Sequence, residues 1–226
     1  MLRRTITMTG AALLLLMQGC ATESSRTMTP AQTQSAGTHY SGPQYTLVVG
    51  KFNNRSTYMR GIFSDGVDRL GSQSKTILKT HLQETGRFIV VDRANMDEIA
   101  REAGISGAAQ ELEGAQVVLT GDVTEFGRKT VGDTVLFGIL GSGKEQVAYS
   151  KVALNVVDVR TSKIVYSAQG AGEFALSNRQ VLGTGGAAGY DATLNGKVLD
   201  LAIREAVNRL VEGLEAGSWQ PTTGGR

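Results

Sequence analysis

The residues best placed to do chemistry are a glycine-lysine run, a lone cysteine and two histidines. Phe137-Gly-Ile-Leu-Gly-Ser-Gly-Lys-Glu145 nearly spells a phosphate-binding loop, because Gly138 to Lys144 fits G-x-x-x-x-G-K. That loop needs a Ser or Thr hydroxyl after the lysine to ligate Mg²⁺, and a helix opening behind it. Glu145 stands there instead, a carboxylate that would repel the phosphates, and EQVAYSKVALNVVDV follows with the alternation of a strand. A second run, Gly183-Thr-Gly-Gly-Ala-Ala-Gly189, has neither the preceding βα turn nor the following helix of a dinucleotide fingerprint. His39 falls in a polar stretch, and His81 sits at helical spacing beside Leu78 and Leu82, where a satisfied helix residue is expected rather than a ligand. No His/Asp/Glu cluster has metal-ligand spacing and no G-x-S-x-G elbow occurs. No catalytic residue, metal site or cofactor is therefore expected.

The cysteine is different, because its surroundings supply a chemistry. Arg3 and Arg4 precede a short apolar run from Ala11 to Met17, and Met17-Gln-Gly-Cys20 follows. The run is too short for a spanning helix, which takes about 20 apolar residues, and residues 1–19 read as a cleaved secretory signal. The Cys20 context resembles a bacterial lipobox, whose thiol is lipidated as the cysteine becomes the new N-terminus. An ordinary secretory signal with an incidental cysteine is the alternative. With Ala21 and not Asp after it, Cys20 would carry its lipid to the outer membrane.

Removing residues 1–19 takes away two arginines and no acid, leaving 21 basic and 21 acidic side chains. A neutral chain without basic blocks gives no reason to expect nucleic acid or an anionic bilayer surface. Residues 20–43 are polar and nearly free of large aliphatics, too poor in apolar surface to order themselves. They read as a lipidated tether with a root-mean-square span of roughly 25 Å. Residues 44–219 suit one domain, with 220–226 as a tail.

Within that domain, Tyr45–Val49 is β-prone, and Val67–Glu84 has a helical stripe of Val67, Leu70, Ile77, Leu78 and Leu82 that Gly86 ends. Arg87–Asp92 reads as a buried strand. Ala94–Ala103 reads as a helix with Met96, Ile99 and Ala100 inward, and Ala108–Glu113 as a short helix before the strand Ala115–Thr120. The alternation argues for a layered α/β (α+β) body. Val152–Val159 and Lys163–Gln169 form a hairpin about Arg160–Lys163. Leu194–Leu214 is the strongest helix, its apolar face running through Val198, Leu201, Ala202, Val207, Leu210, Val211 and Leu214.

Two blocks, Leu78-KTHLQETGRFIVVD-Arg93 and Tyr149-SKVALNVVDVRTSKIVY-Ser167, together with the lipobox, are similar to the CsgG family of outer-membrane lipoproteins. That family comprises the curli-secretion channels and their relatives in holdfast anchoring. The resemblance spans about Tyr45 to Trp219 and rests on segment order and local pattern. It implies a periplasmic α/β domain from which each subunit extends two β-hairpins that a ring of subunits closes into one transmembrane barrel. The first hairpin would lie in 122–159, with Gly138, Gly141 and Gly143 at its tip. The second would lie in 167–191, turning near Ser177–Gln180, with Asn178 and Arg179 at the tip. Its outgoing arm sets Ala168, Gly170, Gly172, Phe174 and Leu176 on one face and Gln169, Glu173 and Ser177 on the other. Its return arm would be Val181–Tyr190. Phe126, Phe137, Tyr149, Phe174 and Tyr190 would be the interfacial aromatics. The curli channel narrows its pore with a tyrosine and an Asn-Phe pair. The comparable stretch here, Asn53–Gly66, offers Tyr58 and Phe63 as constriction candidates but has no Asn-Phe pair.

The function implied is a homo-oligomeric pore that exports or anchors an extracellular polypeptide or adhesin at the bacterial outer membrane. The protein would lie on the periplasmic face, held by the lipid on Cys20 and joined by accessory envelope lipoproteins. The alternative is a periplasmic lipoprotein without a pore, an interaction module in an envelope assembly, with the Gly-rich hairpins packed down on the domain.

Overall fold

β-Branched and aromatic residues concentrate in five segments, and the computed structural model pairs all five into one sheet; it describes residues 29–58, 66–134, 142–180 and 193–222. The chain divides into two units, Met1–Ala31 and Gln32–Arg226, and the second holds every element described below. The elements are β1 (Tyr45–Asn54), α1 (Arg69–Glu84), β2 (Phe88–Val91), α2 (Met96–Ser106), β3 (Val117–Thr134), β4 (Ser142–Asp158), β5 (Ile164–Gln180) and α3 (Thr193–Glu215). The sheet order is β2-β1-β3-β4-β5. β1 runs parallel to β2 and β3, whereas β3, β4 and β5 form an antiparallel meander.

Alternation puts Leu47, Val49 and Phe52 of β1, Val117, Leu119 and Val123 of β3, and Val152, Leu154 and Val156 of β4 on one buried face. Helices α1 and α3 cover that face with Leu78 and Leu82, and with Val198, Leu199, Ile203 and Leu210. The expected inward stripe of the last helix is buried, apart from half-buried Leu201. Trp219 closes the lower end of the core. Its ring stacks near Phe88 and Tyr166, and its indole N–H donates to the Leu210 carbonyl at 3.2 Å.

Three expectations change. Ala108–Glu113 is not helical. Gly107, at φ 68°, ends α2, six residues are too few to nucleate a helix alone, and Glu113 is engaged elsewhere. Its carboxylate accepts from Thr46 Oγ1 at 2.6 Å and its carbonyl from Arg93. Helix α2 does form, but none of its residues is buried, so Met96, Ile99 and Ala100 do not face a core. The segment 20–43 is not tether throughout. From Gln32 onward it lies on the domain, with Thr33 buried, Gln34 N–H donating to Asn208 Oδ1 at 3.1 Å, and the Ser35 and Thr38 carbonyls accepting from Arg87.

Candidate functional site

Length sets the geometry of the candidate surface. β3, β4 and β5 are 18, 17 and 17 residues long, but β1 accompanies β3 only from Val117 to Val123. A register shift between Val123 and Glu125 marks where that support ends. Beyond it, Glu125–Thr134 pairs with Ser142–Lys151, and Ala171–Gln180 pairs with the far side of β4. The result is a three-stranded ribbon reaching about 33 Å past the supported sheet, at 3.3 Å per residue. Among the described residues no strand pairs with the outer edge of β3 beyond Val123 or with the outer edge of β5.

The ribbon reassigns several residues. Lys144 and Glu145 lie inside β4, which continues as strand to Asp158, so no helix N-terminus follows the glycine-lysine run and it is no phosphate loop. Gly143 pairs with Asp133 and Arg179 near the start of β4, while Gly138 and Gly141 lie outside the described residues. Ser177–Gln180 is not a turn. Asn178 and Arg179 continue β5 opposite Lys144 and Gly143, because the ladder with β4 is unbroken to Gln180. The return arm Val181–Tyr190, Cys20 and Phe63 lie outside the described residues. The turn that does exist joins β4 to β5 through Asp158. Its Oδ1 accepts from the N–H groups of Arg160 and Thr161 and from the Thr161 hydroxyl, and its Oδ2 accepts from Thr222 N–H at 2.7 Å. The bonds from Thr222, then Thr161, hold that carboxyl well below the usual carboxylate range despite its burial.

The small-residue face of β5 also has an assignment. Gly170 and Gly172 lie directly beneath α3, where a Cβ on Gly170 would stand 2.0 Å from the Ala202 carbonyl oxygen. Phe174 is half-buried with Lys197 Nζ 5.0 Å from its ring centroid. Along this stretch the small-residue face of the expected hairpin arm is packed on a helix of the same chain. Phe126 is likewise core, 4 % exposed, while Tyr149 is exposed.

At the ribbon's root, the loop after β1 is fastened on both sides. The Tyr58 ring lies 4.6 Å from Phe126, its hydroxyl accepts from Asn195 Nδ2 at 3.0 Å, and Asn195 Oδ1 accepts from Arg128 Nε and Nη2. Asn54 Nδ2 donates to the Tyr58 carbonyl at 2.8 Å. On the far side, the Asp68 carboxylate accepts from Asn54 N–H and, as the N-cap of α1, from Gly71 N–H, each at 2.7 Å. Tyr58 thus holds three elements together. Of these residues the sequence singles out Tyr58 and Phe126; Asp68, placed inside the expected helix, is its N-cap instead, and Asn195 and Arg128 carry no local signal.

Among the described residues no group of three His, Cys, Asp or Glu is placed to hold a metal ion. Buried His81 illustrates why: Nδ1 faces Glu84 Oε2 at 3.0 Å and Nε2 faces Asp200 Oδ1 at 2.8 Å, so both nitrogens are spent joining α1 to α3. Burial alone would lower its pKa, but the hydrogen bonds and charges of Asp200 and Glu84 outweigh it and raise it. Among the described residues, no helix is long and apolar enough to cross a membrane.

Residues 29–223 match the family described as Curli production assembly/transport component CsgG. The chain is 63% identical over 211 residues, 93% of its length and 95% of the relative's, to "Putative lipoprotein NMB1126/NMB1164" of Neisseria meningitidis serogroup B. Among solved structures it resembles lipoprotein GNA1162 of Neisseria meningitidis (16% identity, 77% of this chain and 99% of that one, TM-score 0.37). It also resembles the PelC dodecamer of Paraburkholderia phytofirmans (19% identity, 75% and 93%, TM-score 0.35).

Proposed function

The chain belongs to the CsgG family, and from that premise we propose that it is an outer-membrane lipoprotein, lipidated at Cys20, whose copies assemble into a ring-shaped pore. The pore would export or anchor an extracellular polypeptide and perform no chemistry. The observation that carries this reading is the ribbon. Glu125–Thr134 and Ser142–Lys151 are ten residues each, but Phe126, Ala148 and Ser150 at their base are buried on the domain, so the paired arms supply only part of the roughly 9–11 residues that a tilted transmembrane strand needs. A single copy could not place this ribbon in lipid, because its two open edges would leave backbone N–H and C=O groups without partners. Joining the β5 side of one copy to the β3 side of the next removes the edges and makes the ring a condition of insertion. Tyr58, pinned by Asn195 on Phe126, is the constriction candidate to test first.

A second reading rests on the close packing of α3 over Gly170, Gly172 and Phe174, which anchors the base of β5 to the domain as a water-soluble interaction module would require. Planar-bilayer conductance of the lipidated full-length protein, extracted from outer membranes in mild detergent and sized in parallel, separates the two. Discrete, stable openings from a high-mass particle are expected, with Tyr58→Ala changing the unitary conductance. A monodisperse but silent particle would favour the interaction module and end the pore reading.

A further inference from the structure

Two exposed apolar patches of opposite charge sit on the connection from β2 to β3 and on the turn from β4 to β5. The first is α2, which follows edge strand β2. Ile99 and Ile105 are 41% and 74% exposed, and Leu112, shortly after the helix, is 58% exposed. The same helix carries Asp97, Glu98 and Glu102 against a single Arg101, and among the described residues none of the three carboxylates joins an ion pair. Eleven residues without a buried side chain make a marginal helix in water, so its apolar stripe gains most from a covering surface. The second patch is the β4–β5 turn, which leads into the opposite edge strand. Val159 and Ile164 are 48% and 60% exposed, with Lys163 between them in the chain. Asp158, the acidic residue of that turn, is buried and spent on backbone N–H groups, so the outward charge there is basic.

We propose that α2 of one copy docks on the Val159–Ile164 turn of the next, its acidic rim facing Lys163. The two patches differ, so the contact is heterologous. Repeated in one direction, it closes into a ring or runs on as a filament. The proposal deepens the ring reading by naming a subunit contact within the domain, and it holds whether or not the ribbons enter lipid.

The test uses the full-length lipidated protein in detergent, sized by light scattering across a dilution series. Glu98→Lys with Glu102→Lys, and separately Lys163→Glu, are expected to weaken assembly about tenfold each through like-charge opposition, and combining them is expected to restore it. Ile105→Cys with Ile164→Cys should give a ladder of covalent multimers on oxidation, which neither single variant gives; Cys20 is the chain's only native cysteine. High-mass wild-type particles with silent reversals and no ladder would overturn this contact and leave the ring intact. A wild type that stays monomeric throughout would overturn both.

Discussion

At the residue scale, the acidic and basic groups that matter are those whose partners come from another element. His81 is the clearest. Its ring bridges Glu84 on its own helix and Asp200 on α3, and the second oxygen of Asp200 lies 3.6 Å from Arg204. Burial opposes the charged ring and the two carboxylates favour it, with a net raised pKa. A group raised in the folded state contributes stability that is fully present below its unfolded value, about 6.5, and is lost as the pH climbs through the folded value. The melting temperature of the wild type is therefore expected to fall on the alkaline side of 6.5 relative to His81→Gln. Parallel curves across that window would mean a neutral ring. Asp92 behaves oppositely: Lys79 at 2.9 Å, then the Ala94 N–H, hold it at about 2. Its contribution is present above the unfolded value and lost only as the pH falls toward 2. The pairing of His81 with Leu78 and Leu82 on a buried face was visible in the sequence. Asp200, 119 residues away, was not, because charge partners across a tertiary contact leave no spacing to read.

At the scale of elements, the sharpest test lies where β5 passes under α3. A strand and a helix approach this closely only where no side chain intervenes, and Gly170 supplies that gap. Gly170→Val is expected to wedge the two apart and cost about 3 kcal/mol, the upper part of the usual overpacking range, read as a lower denaturant midpoint. Gln169→Val, one residue along on the exposed face, should leave the midpoint nearly unchanged. The same contact explains an error of sequence reading. Alternating small residues from Ala168 to Phe174 have the period of a membrane strand, and period alone does not say whether lipid or a helix fills the facing space. The elements with long buried stripes were legible: α1 and α3 fall within a few residues of expectation and β1 runs on to Asn54. β2 is a strand as expected but an edge one, with only Phe88 buried. Ser177–Gln180 has turn-like composition, yet a continuous ladder to β4 overrides it, as tertiary pairing overrides local propensity. For α2, periodicity identified an apolar stripe and wrongly supplied it with a partner inside the chain.

At the scale of the whole molecule, the question is how the strap from Gln32 to Gly42 is held on the rest of the domain, and Arg87 decides it. This arginine is 5% exposed. Its Nε donates to Glu215 Oε1 at 2.9 Å, and Nη1 donates to the carbonyls of Ser35, Thr38 and Thr85. Its guanidinium carbon lies 4.8 Å from the Tyr40 ring centroid. One side chain thus joins the C-terminal end of α3, the turn after α1, and the strap from Gln32 to Gly42. Composition could not reveal this, because the strap is held mainly through its backbone carbonyls and polar residues supply those as well as any others. Arg87→Met keeps much of the aliphatic volume while removing every donor. It is expected to cost about 3 kcal/mol, since Glu215 is partly exposed and recovers some hydration. The cost should be local in its consequence. Under native conditions, limited proteolysis between Gln32 and Gly42 should speed up well before the core opens, as expected for a segment whose own opening free energy has dropped. Equal acceleration at strap and core would mean that Arg87 supports the whole fold. No acceleration at the strap would mean that Asn208 and the burial of Thr33 hold it unaided. The first outcome makes the strap a separable element, held on the domain by one buried guanidinium.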